Sequence, residues 1–361
     1  MKTKKTHGAM PVMNYKTFLG AVLIAILSFG LTAHGQTATW QGDVNTSWGT
    51  VGNWTNDAPP NPGDIAIFDH TAAGTTCDLG GFFQFFSELH LSGQSFTFTN
   101  GILRPGAASN QVYASGTGLT HVIEADVTAP GVQYDIFVES GAALVFNGVA
   151  SGPRSFVKSG PGTLTLGGLN TYSVGTVIRD GTLRVADDAN LGFAGTGVTF
   201  EGGTLDCVPP INLARPLIST LTSDVRLRND LFQFFDLSGA SISGPGGLVK
   251  SGSGAVSLTG SANTYSGPTV IEAGFLDLGG SGELIPDGSD VTVNGFLRLY
   301  QGVKESIGGL SGAGTVTFNN PGAQLVVGGA NATAQFSGMV LGDGSLVKVG
   351  TGIQTLSNGG T

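Results

Sequence analysis

The chain has 361 residues with 16 Lys and Arg against 25 Asp and Glu, a net charge of −9. So sparse and acidic a charge set excludes a surface held to nucleic acid or anionic lipid by phosphate contacts. Sixty residues are glycine, more than twice the usual share, yet no Gly-X-Y period runs through them and 40% of residues are hydrophobic, which excludes collagen and a disordered linker.

In chain order the first element is a secretory signal over residues 1–35. Lys2, Lys4, Lys5 and Lys16 precede an apolar run from Phe18 to Ala33, and Ala33-His34-Gly35 supplies small residues around a cut before Gln36. The run is short for a retained membrane anchor, the alternative reading. Its removal takes four lysines and no acid, leaving a net of −13. No later stretch is apolar and long enough to span a bilayer as a helix. Residues 36–69 then form a Trp-rich N-terminal cap. Trp40, Trp48 and Trp54 fall in "WQGDVNTSWGTVGNW", and a proline cluster from Pro59 to Pro62 turns the chain into the first strand. The tryptophans either close the first coil or offer flat faces for glycan contact. Two aromatic runs echo each other, "FFQFF" at Phe82–Phe86 and "LFQFF" at Leu231–Phe235. Burial in wide coils is the expectation, an exposed adhesive stripe the alternative.

From residue 70 to 361 one phrase recurs: glycine, any residue, Leu or Val, any residue, apolar. It reads GTLTL at Gly162, GTLRV at Gly181, GTLDC at Gly203, GAVSL at Gly254, GFLDL at Gly274, GFLRL at Gly295 and GTVTF at Gly314, with a degenerate copy at "SDVRLRN" from Ser223. Alternating apolar positions predict strands, the flanking Gly, Asn, Asp and Ser predict turns, and the spacing predicts coils of about 20 residues. Such a period suits a sandwich of hairpins or a solenoid of stacked parallel strands. Near-identical phrases favour the solenoid, in which like residues stand above like and each coil buries its apolar face only against its neighbours. At a larger scale the segments near 156–185 and 248–278 agree at more than half of their positions, and a truncated third copy occupies 344–361.

These segments resemble the autotransporter-associated β-strand repeat, also called the passenger-associated transport repeat. The likeness is carried by Lys158, Gly160, Gly162, Leu166, Asn170, Tyr172, Thr176, Gly181 and Leu183, and again by Lys250, Gly252, Gly254, Leu258, Asn263, Tyr265, Gly267, Thr269, Gly274 and Leu276. The first copy departs at Val174, where the second has Gly267. The resemblance implies an all-β fold, a right-handed parallel β-helix, in a passenger that a Gram-negative bacterium exports across its inner membrane to the cell surface or beyond. It also implies a C-terminal membrane barrel. The sequence stops at Thr361 in mid-repeat, so the expectation is either a truncated chain or another export route, with membrane contact only through the signal or a missing C-terminal anchor.

Candidate chemistry is sparse. His70, His90 and His121 show no metal-ligand spacing, and the Gly-x-Gly pairs at Gly160, Gly252 and Gly350 lead into strands rather than a phosphate-binding helix. Asp187 and Asp188 adjoin a turn but lack a calcium-binding nonapeptide. Asp180, Asp206, Glu272 and Asp277 form no evident cluster with Arg or Lys at one coil position. Cys77 and Cys207 are too few for a disulfide framework; Cys207 reads as a buried thiol, and whether the two pair is open. The expectation is therefore no catalytic residue, cofactor or metal, but a structural passenger or stalk for adhesion or surface assembly. Its partner would be an extracellular glycan or another surface protein. The competing expectation is a polysaccharide-binding or polysaccharide-cleaving β-helix with Trp40, Trp48 and Trp54 near the ligand.

Overall fold

The computed structural model describes residues 35–106, 112–128, 133–221, 223–233, 235–259, 262–300 and 302–358. The expected secretory signal, apart from Gly35, lies outside the described residues. From Gln36 onward the chain is a β-solenoid of about 13 turns with almost no helix.

Each coil lays down up to three short strands in the same order, so three faces build up. The first is a ten-stranded sheet running from Thr37–Thr39 to Ile242–Ser243, and the second a twelve-stranded sheet from Thr76–Asp78 to Leu310–Ser311. The third begins as five strands, from Phe83–Phe86 to Thr171–Tyr172, and resumes as seven, from Ile211–Asn212 to Met339–Gly342. The glycine phrases supply the strands of the second face and then of the third. Thr163–Leu166 pairs in parallel with Thr182–Val185, which pairs in parallel with Thr204–Cys207. Leu164 therefore stands over Leu183, and Leu183 over Leu205, all with no exposed surface. Phe275–Leu278 and Phe296–Leu299 repeat this on the third face, with Leu276 over Leu297. Parallel strands stacked this way have the period-two burial that the sequence predicts, one side chain in and the next out.

The two long copies do not share a column. In the first, Lys158 lies on the first face and GTLTL on the second; in the second, Lys250 lies on the second face and GAVSL on the third. Lys158 aligns with Ile178, Ile178 with Phe200 and Phe200 with Ser219. The next first-face strand is Ile242–Ser243, and Lys250 falls on the strand after it. Four coils and one face thus separate the copies. The stacking of like over like holds within each block of phrases and fails between the blocks.

Despite the different faces, both copies make the same interior bonds. The buried Lys158 Nζ donates to the carbonyls of Ser159 (3.0 Å), Gly160 (2.6 Å) and, one coil on, Asp180 (3.1 Å). Lys250 Nζ does the same to Ser251 (2.7 Å), Gly252 (2.9 Å) and Ala273 (3.2 Å). Burial pulls each lysine down to about 8, which leaves an ammonium at neutral pH. Asn170 Oδ1 accepts from Ala150 N (2.8 Å) while its Nδ2 donates to the Asn190 carbonyl (2.6 Å), so one amide ties the coil before to the coil after. Asn263 does this between Ile242 and Leu284, at 2.8 Å on both sides. Tyr172 and Tyr265 are buried with their hydroxyls on Thr176 (2.7 Å) and Thr269 (2.6 Å). Gly181 and Gly274 turn at φ of +65° and +64°, and in both a Cβ would sit 2.4 Å from a carbonyl of the preceding coil.

Glu305 continues the asparagine ladder beyond Asn263. Its Oε1 accepts from Ile285 N (2.7 Å), but its Oε2 has no hydrogen-bond partner among the described residues. Burial pushes this carboxyl up to about 8, with Glu283 and Asp287 pushing the same way, so it is protonated at neutral pH. Because the folded value lies above the unfolded one, its contribution to stability is complete at acid pH and is lost as pH rises through about 8. Glu305→Gln is expected to remove this dependence: thermal midpoints of wild type and variant should diverge in the variant's favour between pH 5 and 9, and parallel curves would refute it. Gly181→Ala and Gly274→Ala should each destabilise by more than about 1 kcal/mol, read by denaturant titration.

Candidate interaction surface

The tryptophans predicted as a cap or a glycan platform are enclosed. Trp40, Trp48 and Trp54 are 0%, 0% and 1% exposed. Trp54 packs edge-on against both others, at 5.2 and 4.8 Å between centroids, while Trp40 stacks on Phe68 at 5.4 Å. Trp54 Nε1 donates to the Trp48 carbonyl (2.7 Å) and Trp40 Nε1 to that of Gly74 (3.0 Å). With no ring face open to solvent, the glycan-contact assignment to these three residues is corrected; they fill the interior at the start of the solenoid.

Other candidates are also engaged in holding the fold. His121 is buried, its Nδ1 accepting from Phe96 N (3.4 Å) and its Nε2 donating to the Ser115 carbonyl (3.1 Å), and burial lowers its pKa. His90 meets Glu88 at 2.7 Å, and His70 is exposed. Asp187 caps a short turn by accepting from Ala189 N (2.8 Å), and Asp188 takes two bonds of 2.8 Å from the fully buried guanidinium of Arg215. Cys77 and Cys207 are free, buried thiols whose pKa burial drives upward. Among the described residues no three His, Cys, Asp or Glu side chains converge as metal ligands would.

The aromatic runs overturn the expectation of burial. A strand sends neighbours to opposite sides, and a coil has only one interior side. In Phe83–Phe86 only Phe86 is buried, whereas Phe82 is 73% exposed and Phe83 and Phe85 face out with Arg104 lying 5.4 and 5.5 Å over their rings. In the second run Phe235 is interior, Leu231 is exposed, and Phe232 is 79% exposed; Phe234 lies outside the described residues. Phe232 approaches Phe275 at 6.3 Å, and Phe275 stacks on Phe296 at 4.7 Å with 21° between planes.

Arginine and aspartate pairs border this aromatic surface. On the second face Thr165, Arg184, Asp206 and Arg228 follow one another in a single column, and Arg184 Nη2 meets Asp206 Oδ2 at 2.8 Å. Arg228 pairs with Asp230. On the third face Arg298 makes bonds of 2.6 and 2.7 Å to the two oxygens of Asp277 and lies 4.1 Å over the Phe275 ring. Of the four acids expected to form no cluster with Arg or Lys at one coil position, Asp206 and Asp277 each pair with an arginine of the adjacent coil at the same position. The signal was present in the fourth letter of successive phrases: Thr, Arg, Asp in GTLTL, GTLRV, GTLDC, and Asp, Arg in GFLDL, GFLRL. Glu272 lies 3.7 Å from Arg226, and Asp180 accepts from Gly181 N (2.7 Å).

Comparison with known proteins matches residues 156–185 and 248–278 to the passenger-associated-transport-repeat model. The chain carries two passenger-associated transport repeats. It is 30% identical over 295 residues to the adhesin BmaC autotransporter of Brucella suis biovar 1, an alignment covering 81% of this chain and 8% of that protein. It is 32% identical over 168 residues to the Neisserial autotransporter lipoprotein NalP of Neisseria meningitidis serogroup B, covering 46% of this chain and 14% of the relative. The chain thus spans a small part of either relative's length. No solved structure matches it significantly. Autotransporter repeats and relatives place the chain among exported, secreted or surface-displayed passengers. Since Trp48 is core and Phe232 is surface, Trp48→Ala should cost roughly 3–5 kcal/mol and Phe232→Ala within about 0.5 kcal/mol in denaturant titrations.

Proposed function

We propose that these coils are the non-catalytic, load-carrying part of a surface passenger and that they adhere through side chains on the second and third faces. The observation that supports this most is the division of labour between the two sides of each strand. Inward polar groups such as Lys158, Asn170, Lys250 and Asn263 are spent on bonds between coils. Outward groups on other strands, such as Phe275 and Phe296 of the third face, are phenyl rings held in fixed register at the surface. The likeness to a protein named as an adhesin supports the same reading. Catalysis by the acids is disfavoured because Asp206 and Asp277 are each held by an arginine, whereas general acid–base work needs a carboxyl free to exchange its proton.

Beads coated with the purified chain are expected to attach to bacterial or host cell layers well above beads coated with an unrelated acidic protein. The same preparation should release no new ends from pectic, alginate or hyaluronan chains. Attachment at the control level would remove the adhesive reading, and polysaccharide turnover would replace it with the enzymatic one.

A further inference from the structure

We propose that the corner between the second and third faces, at the Arg184–Asp206 and Arg228–Asp230 pairs and the Leu231-Phe232 tip, is a binding site for an uncharged glycan. The inference rests on the adhesive reading above and names its partner.

The site is an open depression of about 280 Å³ lined by Arg184, Asp206, Val208, Asp230 and Leu231. That volume lies just under the range in which ligand pockets begin, about 300 Å³. It suits the end or a short segment of a chain that continues along the surface. Its lining sets Arg184 against Asp206 and Asp230, and Arg228, paired with Asp230 beside the lining, brings the local charges into balance. An anionic or cationic ligand would gain at one pair what it lost at the other. A ligand that both donates and accepts without a net charge, as adjacent sugar hydroxyls do, can bridge carboxylate and guanidinium without breaking the pair.

The apolar side of the depression fits the same class. Leu231 and Phe232 are exposed at the tip of the loop, and Phe232 is braced by Phe275 at 6.3 Å rather than left free. Such a braced ring offers a flat surface to the C–H face of a sugar. A peptide that binds by adding a strand has no place here, because Thr204–Cys207 is already paired on both sides, with Thr182–Val185 and Val225–Arg228. The sequence offers the tryptophans as a cap or, alternatively, a glycan contact; in the proposed site the glycan contact falls to an aromatic run expected to be buried.

The test is retention of the full purified chain on immobilised mannan, dextran and galactan, with polygalacturonate as the charged comparison. Wild type should be retained by at least one neutral polymer, with little change between low and high salt. Phe232→Ala and Asp230→Asn, both at exposed positions, should each lower retention tenfold or more, while Phe82→Ala, an equally exposed phenylalanine far along the chain, should leave it unchanged. Circular dichroism melts matching wild type would show that the variants fold. No retention on any neutral polymer, retention only on polygalacturonate, or retention indifferent to Phe232 and Asp230 would overturn the proposal. If coated beads still attach to cells in that case, the glycan site falls while the adhesive reading stands.

Discussion

Every coil of this solenoid encloses its apolar side chains between its own faces and the coils before and after it, as Phe156 of the first face meets Phe146 of the second and Tyr172 of the third. Along the second face Leu164, Leu183 and Leu205 stand directly one over another at the strand spacing of about 4.8 Å. Much else follows from that constraint. Glycine is abundant because backbone of one coil passes within contact distance of the next, as at Gly181 and Gly274, where a Cβ would collide with a carbonyl. Helix is nearly absent because a helical turn cannot extend a parallel ladder.

The same closeness makes interior polarity hazardous, and the repeat handles it with a few fixed devices. A lysine ammonium distributes three bonds over two coils, an asparagine accepts from one coil and donates to the next, and a tyrosine hydroxyl meets a threonine. Each device is complete within the span of the repeat and its neighbouring coil. That explains why the motif works equally well starting on the first face at Lys158 and on the second at Lys250. Glu305 shows half of the device: a carboxyl at the ladder position of an amide accepts from Ile285 N, while its other oxygen makes no bond to the coil beyond among the described residues.

Much of this was legible in the residues. The phrase from Gly162 to Leu166 and its echoes specify strands, period and parallel stacking, since only one side of each strand is apolar. The burial of Trp40, Trp48 and Trp54 was one of two readings the segment allowed, and three large rings so close together favour an enclosed space. What was not legible depended on counting coils rather than residues. The face on which a copy begins is set by the summed lengths of all intervening turns, and no local pattern records that sum. The pairing of Arg184 with Asp206 and of Asp277 with Arg298, by contrast, is written in the fourth letters of successive phrases and needs only those phrases set one over another. The aromatic runs misled because hydrophobicity was weighed without alternation: Phe83 and Phe85 share a side of their strand, and Phe86 takes the other.

The one-face offset between the copies has a geometric consequence. Two stretches of nearly the same sequence look out in different directions, so whatever Thr165 presents to one side of the molecule, Ser257 presents to another. A repeat that recurs after a whole number of coils plus one face does more than lengthen the fold; it turns a similar pattern toward a new compass bearing. Lengths of the connecting turns, more than the motif itself, therefore decide around which flank of the spiral its decorations are displayed.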